Sequence, residues 1–443
     1  MWVALMLATV SSVLTRIVNN YTSDLHSYVS GVLWTIVAVG YGGFQANVIQ
    51  FGIDQLHDAS TKEITSFILW YVWTFYGDGF TIFFVLGCLP KQYWIIGDLI
   101  LCLYLSMALS SMLIFNHWLV KEPVTQNPFK LVYNVVRYAI KHKHPECRSA
   151  FTYCEDEPPS RIDFGKSKYG GPFTTEQVED VKTFLRVILI IFVGTVILYA
   201  VFILLQQLER MLNLLTDITS TSKIFYLECY SVEAFIESFL FGSVIILPFY
   251  ELVLYPIFYR CLETINSHWK FFSGVFLLIA ETVALWIMES VARHKYHLTN
   301  NRYNSTIPCI GHGTLSTSMD FRYMAVPLLL HSLSTTAIAI GSFEFIASQA
   351  PYSMRGLIMG MIYCTLTLFA AIGLGISVLL TQYSSLVTGI ISCGFWYSLL
   401  LLVVEVLVSV MLVALQRWYK KRKREDVLPN EHIFAERYYD RDN

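Results

Sequence analysis

The sequence predicts an all-α, polytopic membrane protein. Of its 443 residues, 55% are hydrophobic and only 14% are charged, whereas soluble proteins carry about 25% charged residues. The apolar residues collect in blocks of roughly 20 residues, the length at which a helix crosses the ~30 Å hydrocarbon core of a bilayer. The net charge of −2 gives no reason to expect a nucleic-acid partner. The apolar blocks instead make the lipid bilayer the expected partner.

Ten blocks are candidate transmembrane helices. They cover residues 3–17, 30–50, 64–89, 93–115, 184–206, 236–258, 271–292, 323–346, 357–380 and 389–416. The first block is short, so a signal peptide is the alternative interpretation. It lacks a basic region before the apolar stretch, and Arg16 follows the stretch instead. This charge pattern favours a transmembrane span over a signal peptide.

A long polar interval divides the blocks into four and six. We therefore expect four N-terminal spans (1–116), a linker (117–183), a six-helix part (184–417) and a basic, polar tail (418–443). Linker and tail are both rich in Lys and Arg, which marks the cytoplasmic side of a membrane protein. Because six spans separate them, they must lie on the same side, and the predicted topology is self-consistent.

The opposite, outer or lumenal, side carries the two N-x-S/T sequons of the chain. Asn20 and Asn304 are therefore predicted glycosylation sites. Cys229 and Cys309 lie on the same side, where either a disulfide between them or two free thiols fit the sequence. None of the nine cysteines forms a C-x-x-C pair, so neither a metal site nor a disulfide framework is indicated.

The linker contains a predicted amphipathic helix. Residues 128–143 (PFKLVYNVVRYAIKHK) place apolar side chains on one helical face and basic side chains elsewhere. Such a helix lies along the membrane surface or packs against the cytoplasmic ends of the bundle. Residues 152–173 are expected to be irregular. Thr174 and Gln177 then form a capping-box pattern, which predicts a helix that begins in the cytosol and continues into the membrane.

Four segments carry motifs in one consistent order. Residues 42–56 (GGFQANVIQFGIDQL) match G-x-x-x-x-N-x-x-x-F-G-A-D-Q-F in part, and residues 248–256 (PFYELVLYP) match P-x-[FY]-[DE]-x-x-x-Y-P. Residues 343–355 (FEFIASQAPYSMR) match L-E-F-x-x-x-Q-A-P-x-x-M-R except at the first position. YGGPF at 169–173 precedes VEDVK at 178–182. In these segments the chain resembles the proton-dependent oligopeptide transporter family, which includes peptide/histidine and nitrate/peptide transporters.

The resemblance implies a major-facilitator fold in which the ten blocks correspond to helices three to twelve of twelve. We accordingly expect an incomplete N-terminal half that lacks helices one and two. The family's E-x-x-E-R proton-coupling motif, which belongs to helix one, is missing with them. The implied function is proton-coupled symport of di- or tripeptides, or of histidine-like solutes, by alternating access. The proton gradient would be the energy source, with no cofactor and no enzymatic activity. The membrane would be the plasma membrane or an endolysosomal membrane.

The missing E-x-x-E-R motif, Gln45 and Thr335 are departures from the family pattern that support a second hypothesis. Gln45 stands where many members have a lysine, and Tyr76 stands at an asparagine position of helix five. Thr335 stands where peptide-transporting members carry a glutamate for the substrate amino group, and it cannot supply that carboxylate. The alternative is therefore a truncated or pseudotransporter with a sensor or scaffold role and no coupled transport.

Polar groups inside the spans are the functional candidates, because a charged group in hydrocarbon normally faces a cavity or a partner. Candidates for the substrate pathway are Gln45, Asn47, Tyr71, Tyr76, Asp78, His331 and Thr335. Candidates for proton binding or gating are Asp54, Glu251, Glu344 and Arg355. The sequence assigns no role to Glu281, Glu289 or Glu405.

Several of these candidates carry a specific expectation. Asp78 lies between two glycines that are expected to open the helix. Glu344, which Arg355 follows in the next loop, is expected to form a structural or gating ion pair. Asp54 and Glu251 are expected to brace the cytoplasmic ends of their helices. His331 shares a helical face with Thr335 and could titrate near neutral pH, or it could simply hydrogen-bond between helices.

Overall fold

The computed structural model describes residues 23–56, 59–88, 103, 106–108, 110–120, 127–142, 159–214, 223–224, 227–228, 242–254, 257, 267–293, 296–298, 315–317, 321–351, 354–383 and 395–419. The first predicted span, most of the fourth and the tail beyond residue 419 lie outside these residues. So do the predicted glycosylation sites Asn20 and Asn304 and the cysteines Cys229 and Cys309.

The described residues are mainly helical. The helices are α1 (Ser23–Gln55), α2 (Thr61–Cys88), α3 (Pro128–Lys141), α4 (Thr175–Leu214), α5 (Gly242–Phe249), α6 (Ser267–Arg293), α7 (Ala325–Gln349), α8 (Arg355–Tyr383) and α9 (Phe395–Trp418). Two short antiparallel hairpins pair β1 (Lys223–Ile224) with β2 (Leu227–Glu228), and β3 (Tyr296–Leu298) with β4 (Leu315–Thr317). Both hairpins lie on the predicted outer side.

Within the described residues, four helices are long and apolar enough to cross a membrane. They are Thr175–Leu205, Trp269–Val291, Ala325–Gln349 and Ser398–Trp418. Val244–Val253 and Arg355–Phe369 are shorter apolar helices. Each of these six segments coincides with a predicted span of the C-terminal part, so the hydrophobic blocks located these helices correctly.

Helices α6 and α7 form the tightest antiparallel pair of the described part. A Cβ added at Gly341 would lie 2.6 Å from the backbone N of Phe271, and one added at Gly274 would lie 2.8 Å from the backbone N of Ile338. Small residues let helix backbones approach closely, and inside a membrane this contact replaces the missing hydrophobic driving force. The two glycines therefore allow α6 and α7 to pack closely at this end of the pair.

An apolar cluster joins the N-terminal and C-terminal helices at the predicted cytoplasmic end. Its buried members come from five helices, represented by Ile49 of α1, Val135 of α3, Val187 of α4, Ile346 of α7 and Ile358 of α8. The amphipathic helix α3 contributes its buried face to this cluster. Its remaining apolar side chains, Phe129, Tyr133 and Ile140, are exposed. The helix thus packs against the bundle with one face, as one of the two sequence interpretations expected.

The end of the linker is folded rather than irregular, contrary to the expectation for residues 152–173, of which residues 159–173 are described. Arg161–Gly165 and Ser167–Tyr169 form 3-10 turns. The Ser160 hydroxyl donates to Asp163 at 2.6 Å, and Lys166 and Lys182 both pair with Asp163. Ion pairs between residues that are distant in the sequence, such as Asp163 and Lys182, organise this segment. Composition alone does not show such pairs, so it predicted irregular chain.

Asp163, Lys166, Glu179 and Lys182 form a network of ion pairs, which we call the linker cluster. These ion pairs shift the pKa values of Asp163 and Lys166. Burial alone would raise the pKa of Asp163, but hydrogen bonds from Lys166, Lys182 and Ser160 hold that pKa well below its usual value. Burial would lower the pKa of Lys166, but its bonds to Asp163 and Glu179 outweigh burial and raise the pKa. The predicted capping box is present as well, since Gln177 N donates to Thr174 Oγ1 at 3.2 Å. Linker and α4 are therefore joined by fixed charges.

Helix α2 contradicts one sequence expectation. The Gly77-Asp78-Gly79 segment does not break the helix, because α2 is continuous from Thr61 to Cys88. In an apolar environment each unsatisfied backbone group costs several kcal/mol, and this cost keeps glycine-containing segments helical inside membranes. Tyr76 and Asp78 belong to α2, and their side chains lie outside the described part of the structure.

Candidate functional site

The first candidate region is a contact between the N-terminal helices and α8. Gln45 is buried on α1, and its Nε2 donates to Tyr71 Oη of α2 and to Tyr363 Oη of α8, both at 3.2 Å. Tyr71 also packs edge-to-face against Phe343 of α7, with ring centroids 6.1 Å apart. Gln45 and Tyr71, predicted to line a pathway, are thus brought together, and Tyr363 is a partner that the sequence did not indicate.

Directly beside this contact, α1 and α8 meet through small residues. A Cβ at Gly360 would lie 3.7 Å from the Cβ of Ala46, and one at Gly356 would lie 3.6 Å from Asn47 Oδ1. Asn47 Nδ2 donates to the carbonyl of Gly43 in its own helix at 2.8 Å. Asn47 therefore borders this contact, while part of its amide is engaged locally.

A second contact between the two parts joins α2 with α5. Pro248 lies inside α5 and has no N–H to donate to the carbonyl four residues earlier, which is that of Val244. The indole Nε1 of Trp73 donates to this same carbonyl at 2.8 Å. A side chain from the N-terminal part therefore replaces a backbone hydrogen bond missing from a helix of the C-terminal part.

Glu251 follows this proline in a π-helical turn, Tyr250–Leu254. The Ser66 hydroxyl of α2 donates to Glu251 Oε1 at 2.8 Å. Such turns are frequent at functional sites, and this one directs a carboxylate towards the N-terminal part. Glu251 is thus placed to brace α2 against the end of α5.

The end of α1 is braced by Gln55, the residue that follows Asp54. Asp54 accepts a hydrogen bond from Gln50 of its own helix. Gln55 instead pairs with the backbone of Val120, accepting from its N–H at 2.9 Å and donating to its carbonyl at 3.0 Å. The amide of Gln55 matches a backbone peptide in both directions, which a carboxylate cannot do.

The C-terminal helices hold a buried ion pair at the predicted cytoplasmic end. Lys270 Nζ of α6 lies 2.6 Å from Glu344 Oε1 of α7. Glu344 is buried, and Lys270 retains about a fifth of its exposure. Sequence reasoning expected an ion pair at Glu344 but missed Lys270, which lies 74 residues away in the chain. Arg355 is placed at the first residue of α8.

A second buried polar group lies at the middle of the same helices. His331 Nδ1 of α7 lies 2.9 Å from Glu281 Oε1 of α6, and both side chains are almost fully buried. One residue along α6, the Thr282 hydroxyl lies 2.8 Å and 3.0 Å from the two carboxylate oxygens of Glu405 of α9. The sequence analysis assigned no role to Glu281 and Glu405, although a carboxylate inside an apolar block was the signal that marked each of them.

Thr335 does not extend this polar group. Its hydroxyl lies 2.9 Å from the carbonyl of His331 and 3.0 Å from that of Ser332, both in its own helix. Hydroxyls in membrane helices commonly bond to the backbone one turn earlier in this way. The position is buried, and its polar atom is already occupied.

A cavity of about 60 Å³ lies between α4, α6, α7, α8 and α9. Its polar lining comes from Thr195, Ser342 and Gln416, and the rest is apolar. This volume is well below the roughly 300–1,000 Å³ of typical small-molecule sites. The cavity has room for water but not for a peptide, so it does not serve as a substrate site in this conformation.

Comparison with known proteins agrees with this geometry. A family model, PTR2, described as the POT family, matches residues 2–392. The fold is similar to the crystal structure of an auto-inhibited POT family peptide transporter, with a TM-score of 0.62 at 15% identity over 96% of this chain and 84% of that chain. It is also similar to the in meso crystal structure of the POT family transporter PepTSo, with a TM-score of 0.60 at 13% identity over 94% and 83% of the two chains.

The structural likeness confirms the predicted all-α, major-facilitator fold. The match of the family model over most of the chain confirms the family that the motifs indicated. Members of this family are transporters rather than enzymes, and the apolar helices place the chain in a membrane. The protein is therefore an integral membrane protein that belongs to the POT family of transporters.

Proposed function

We propose that the protein is a proton-coupled symporter of small peptides, namely di- or tripeptides, or of histidine-like solutes. The solute and protons would cross the membrane together by alternating access, with the proton gradient as the only energy source and no cofactor. The family match supports transport, and the two similar structures support a peptide-transporter fold.

The observation that carries the proposal is the closed contact between the two parts of the chain at the predicted cytoplasmic end. Alternating access requires a contact that is formed in one state and broken in the other. The interface of α1 with α8 contains small residues, neutral hydrogen bonds from Gln45 and apolar side chains such as Ile49 and Ile358. Each of these hydrogen bonds stabilises by only about 1 kcal/mol net, so the hydrogen bonds add little to the free-energy cost of opening the contact.

The interface of α2 with α5 has the same character. The bonds from Trp73 to Val244 and from Ser66 to Glu251 each involve one neutral donor. Contacts of this strength fit a state that exchanges with a second one, because two conformations of a transporter differ by only a few kcal/mol.

The proposal is tested with purified protein in liposomes. Uptake of labelled dipeptides, tripeptides and histidine is measured with and without an inward proton gradient, and a protonophore serves as the control for coupling. We expect accumulation of at least one solute class that requires the gradient and is lost with the protonophore. If none of the tested solutes is taken up, or if uptake is independent of the proton gradient, the proposal is wrong.

A further inference from the structure

A buried cluster of three titratable side chains lies at the centre of the C-terminal helices. Glu281, His331 and Glu405 come from α6, α7 and α9, and none of them is more than 2% exposed. Glu281 bonds to His331 directly, and Glu405 is bonded to the neighbouring Thr282 and is close enough to Glu281 for their charges to interact. We call these three side chains the midplane triad.

One oxygen of the triad is unpartnered. Glu281 Oε2 is buried and has no hydrogen-bond partner. The nearby hydroxyl of Ser334 lies 2.9 Å from the carbonyl of His331 instead. A buried carboxylate oxygen without a donor is costly when the group is ionised, whereas a protonated carboxyl carries the donor itself. The geometry therefore favours a proton on this carboxyl.

The charge balance of the triad points the same way. No lysine or arginine lies within seven residues of Glu281, His331 or Glu405 along their helices. Two carboxylates and a neutral imidazole carry two negative charges, so the triad is neutral only when it holds two protons. A net charge inside the hydrocarbon region is strongly unfavourable, and the closed triad therefore retains both protons.

Among the described residues of the surrounding elements, no lysine or arginine is paired with a member of the triad. Lys270 is about 16 Å along α6 from Glu281, at 1.5 Å per residue, and it is paired with Glu344. Titratable groups in the apolar parts of the elements packed against the triad helices include Tyr71, Tyr76, Asp78, Tyr199, Tyr250, Glu251, Glu289, Tyr363 and Cys364. In the described part of the chain, no three His, Cys, Asp or Glu side chains are arranged to hold a metal ion.

We propose that the midplane triad is a proton-binding site and that it carries the coupling protons of the transporter. A carboxyl O–H bond forms with a proton from water while the outer side is open. The same bond breaks, returning the proton to water, when the helices open on the other side and hydration stabilises the carboxylate. The role in coupling rests on the proposed symport, whereas proton binding by itself does not.

The binding step is tested by infrared spectroscopy on the purified protein, without any solute. A protonated buried carboxyl gives a C=O stretch distinct from that of a carboxylate, and this band shifts in D₂O. We expect the C=O band of the protonated carboxyl at neutral pH in the wild-type protein. The intensity of this band should be lower in Glu405→Gln and in Glu281→Gln. Glu289→Gln, which changes a buried carboxylate of α6 outside the triad, is the matched control and should keep the band.

The coupling step is tested by uptake in liposomes. Glu405→Gln and His331→Gln should abolish the stimulation of uptake by a proton gradient, while Glu289→Gln should retain it. An unchanged band in both triad variants, or unchanged gradient dependence of uptake, overturns the proposal.

The two readouts also separate the inference from the proposed function. If the wild-type protein takes up no solute but the band depends on Glu281 and Glu405, the proton-binding site stands and the symport proposal fails. Thermal unfolding of each variant identifies misfolded protein. The double variant Glu281→Gln/His331→Gln, which leaves a neutral hydrogen-bonding pair, replaces any single variant that does not fold and should lose both the Glu281 part of the band and the gradient stimulation.

Discussion

The Cβ of Ala46 on α1 lies 3.7 Å from the position that a Cβ at Gly360 on α8 would occupy. Disulfides have a mean Cβ–Cβ distance of about 3.8 Å. The double variant Ala46→Cys/Gly360→Cys is therefore expected to form a cross-link between the two parts of the chain upon mild oxidation. The cross-link would hold the predicted cytoplasmic end closed and abolish uptake, and a reducing agent would restore it.

Each single cysteine variant is the control for this experiment, because the chain has other cysteines, among them the exposed Cys364. Oxidised single variants should keep their uptake. Transport that continues in the fully cross-linked double variant would show that α1 and α8 do not separate during the cycle, contrary to the proposed alternating access.

The ion pair between Lys270 and Glu344 should be more sensitive to removal of one partner than of both. Glu344→Gln leaves the largely buried Lys270 ammonium without its counter-charge, and breaking a buried pair in this way costs about 3–5 kcal/mol. Lys270→Met/Glu344→Gln removes both charges, so it should be closer to the wild type. The apparent melting temperature of the three proteins in detergent tests this ranking. A double variant less stable than the single one would mean that the pair is not the source of the stabilisation.

The contact of Gly341 with α6 predicts intolerance of even a methyl group. In Gly341→Ala the new Cβ would meet the backbone of Phe271 at 2.6 Å, and α6 and α7 would have to separate at a cost of about 1–3 kcal/mol. Gly194→Ala in α4 meets nothing within 4 Å and is the matched control. Thermal unfolding should show a lower melting temperature only for Gly341→Ala. Equal stability of both variants would refute the close packing of α6 and α7.

The linker cluster predicts an attachment that resists acidic pH. Because the folded pKa of Asp163 lies below its ordinary value of 3.8, its stabilisation is complete above that pH and is lost only as the pH falls further. The folded pKa of Lys166 is raised above 10.5, so its stabilisation is complete below that pH and is lost as the pH rises through the folded pKa. Hydrogen exchange of residues 161–173, corrected for intrinsic rates, should therefore be constant from mildly acidic to mildly alkaline pH.

Substitution of this carboxylate checks the same cluster. Asp163→Asn leaves Lys166 and Lys182 facing an uncharged amide, and exchange of residues 161–173 should accelerate. Glu176→Gln, an exposed position in the first turn of α4, should leave exchange unchanged. Acceleration in both variants would indicate a general effect of charge rather than the specific network.

The sequence predicted the features that depend on local periodicity, namely helices and their ends. It did not predict the contacts between residues that are distant in the chain. The apolar blocks located the C-terminal helices, and Thr174 with Gln177 identified the start of α4 because a capping box is complete within four residues. Lys270 could not be assigned to Glu344, nor Tyr363 to Gln45, because no spacing rule connects residues on different helices. Glu281 and Glu405 were visible as buried charges, but their assembly with His331 depends on how three helices pack.

The helix around Pro248 depends on the hydrogen bond that Trp73 donates to the carbonyl of Val244. The shape of α5 depends on a donor from another helix, so α5 is not an independently stable unit at this point. Moving α2 away would leave a carbonyl without a donor inside the membrane, at a cost of several kcal/mol. The curvature of α5 should therefore change whenever α2 moves away. The backbone conformation of the C-terminal part thus depends on the position of the N-terminal part.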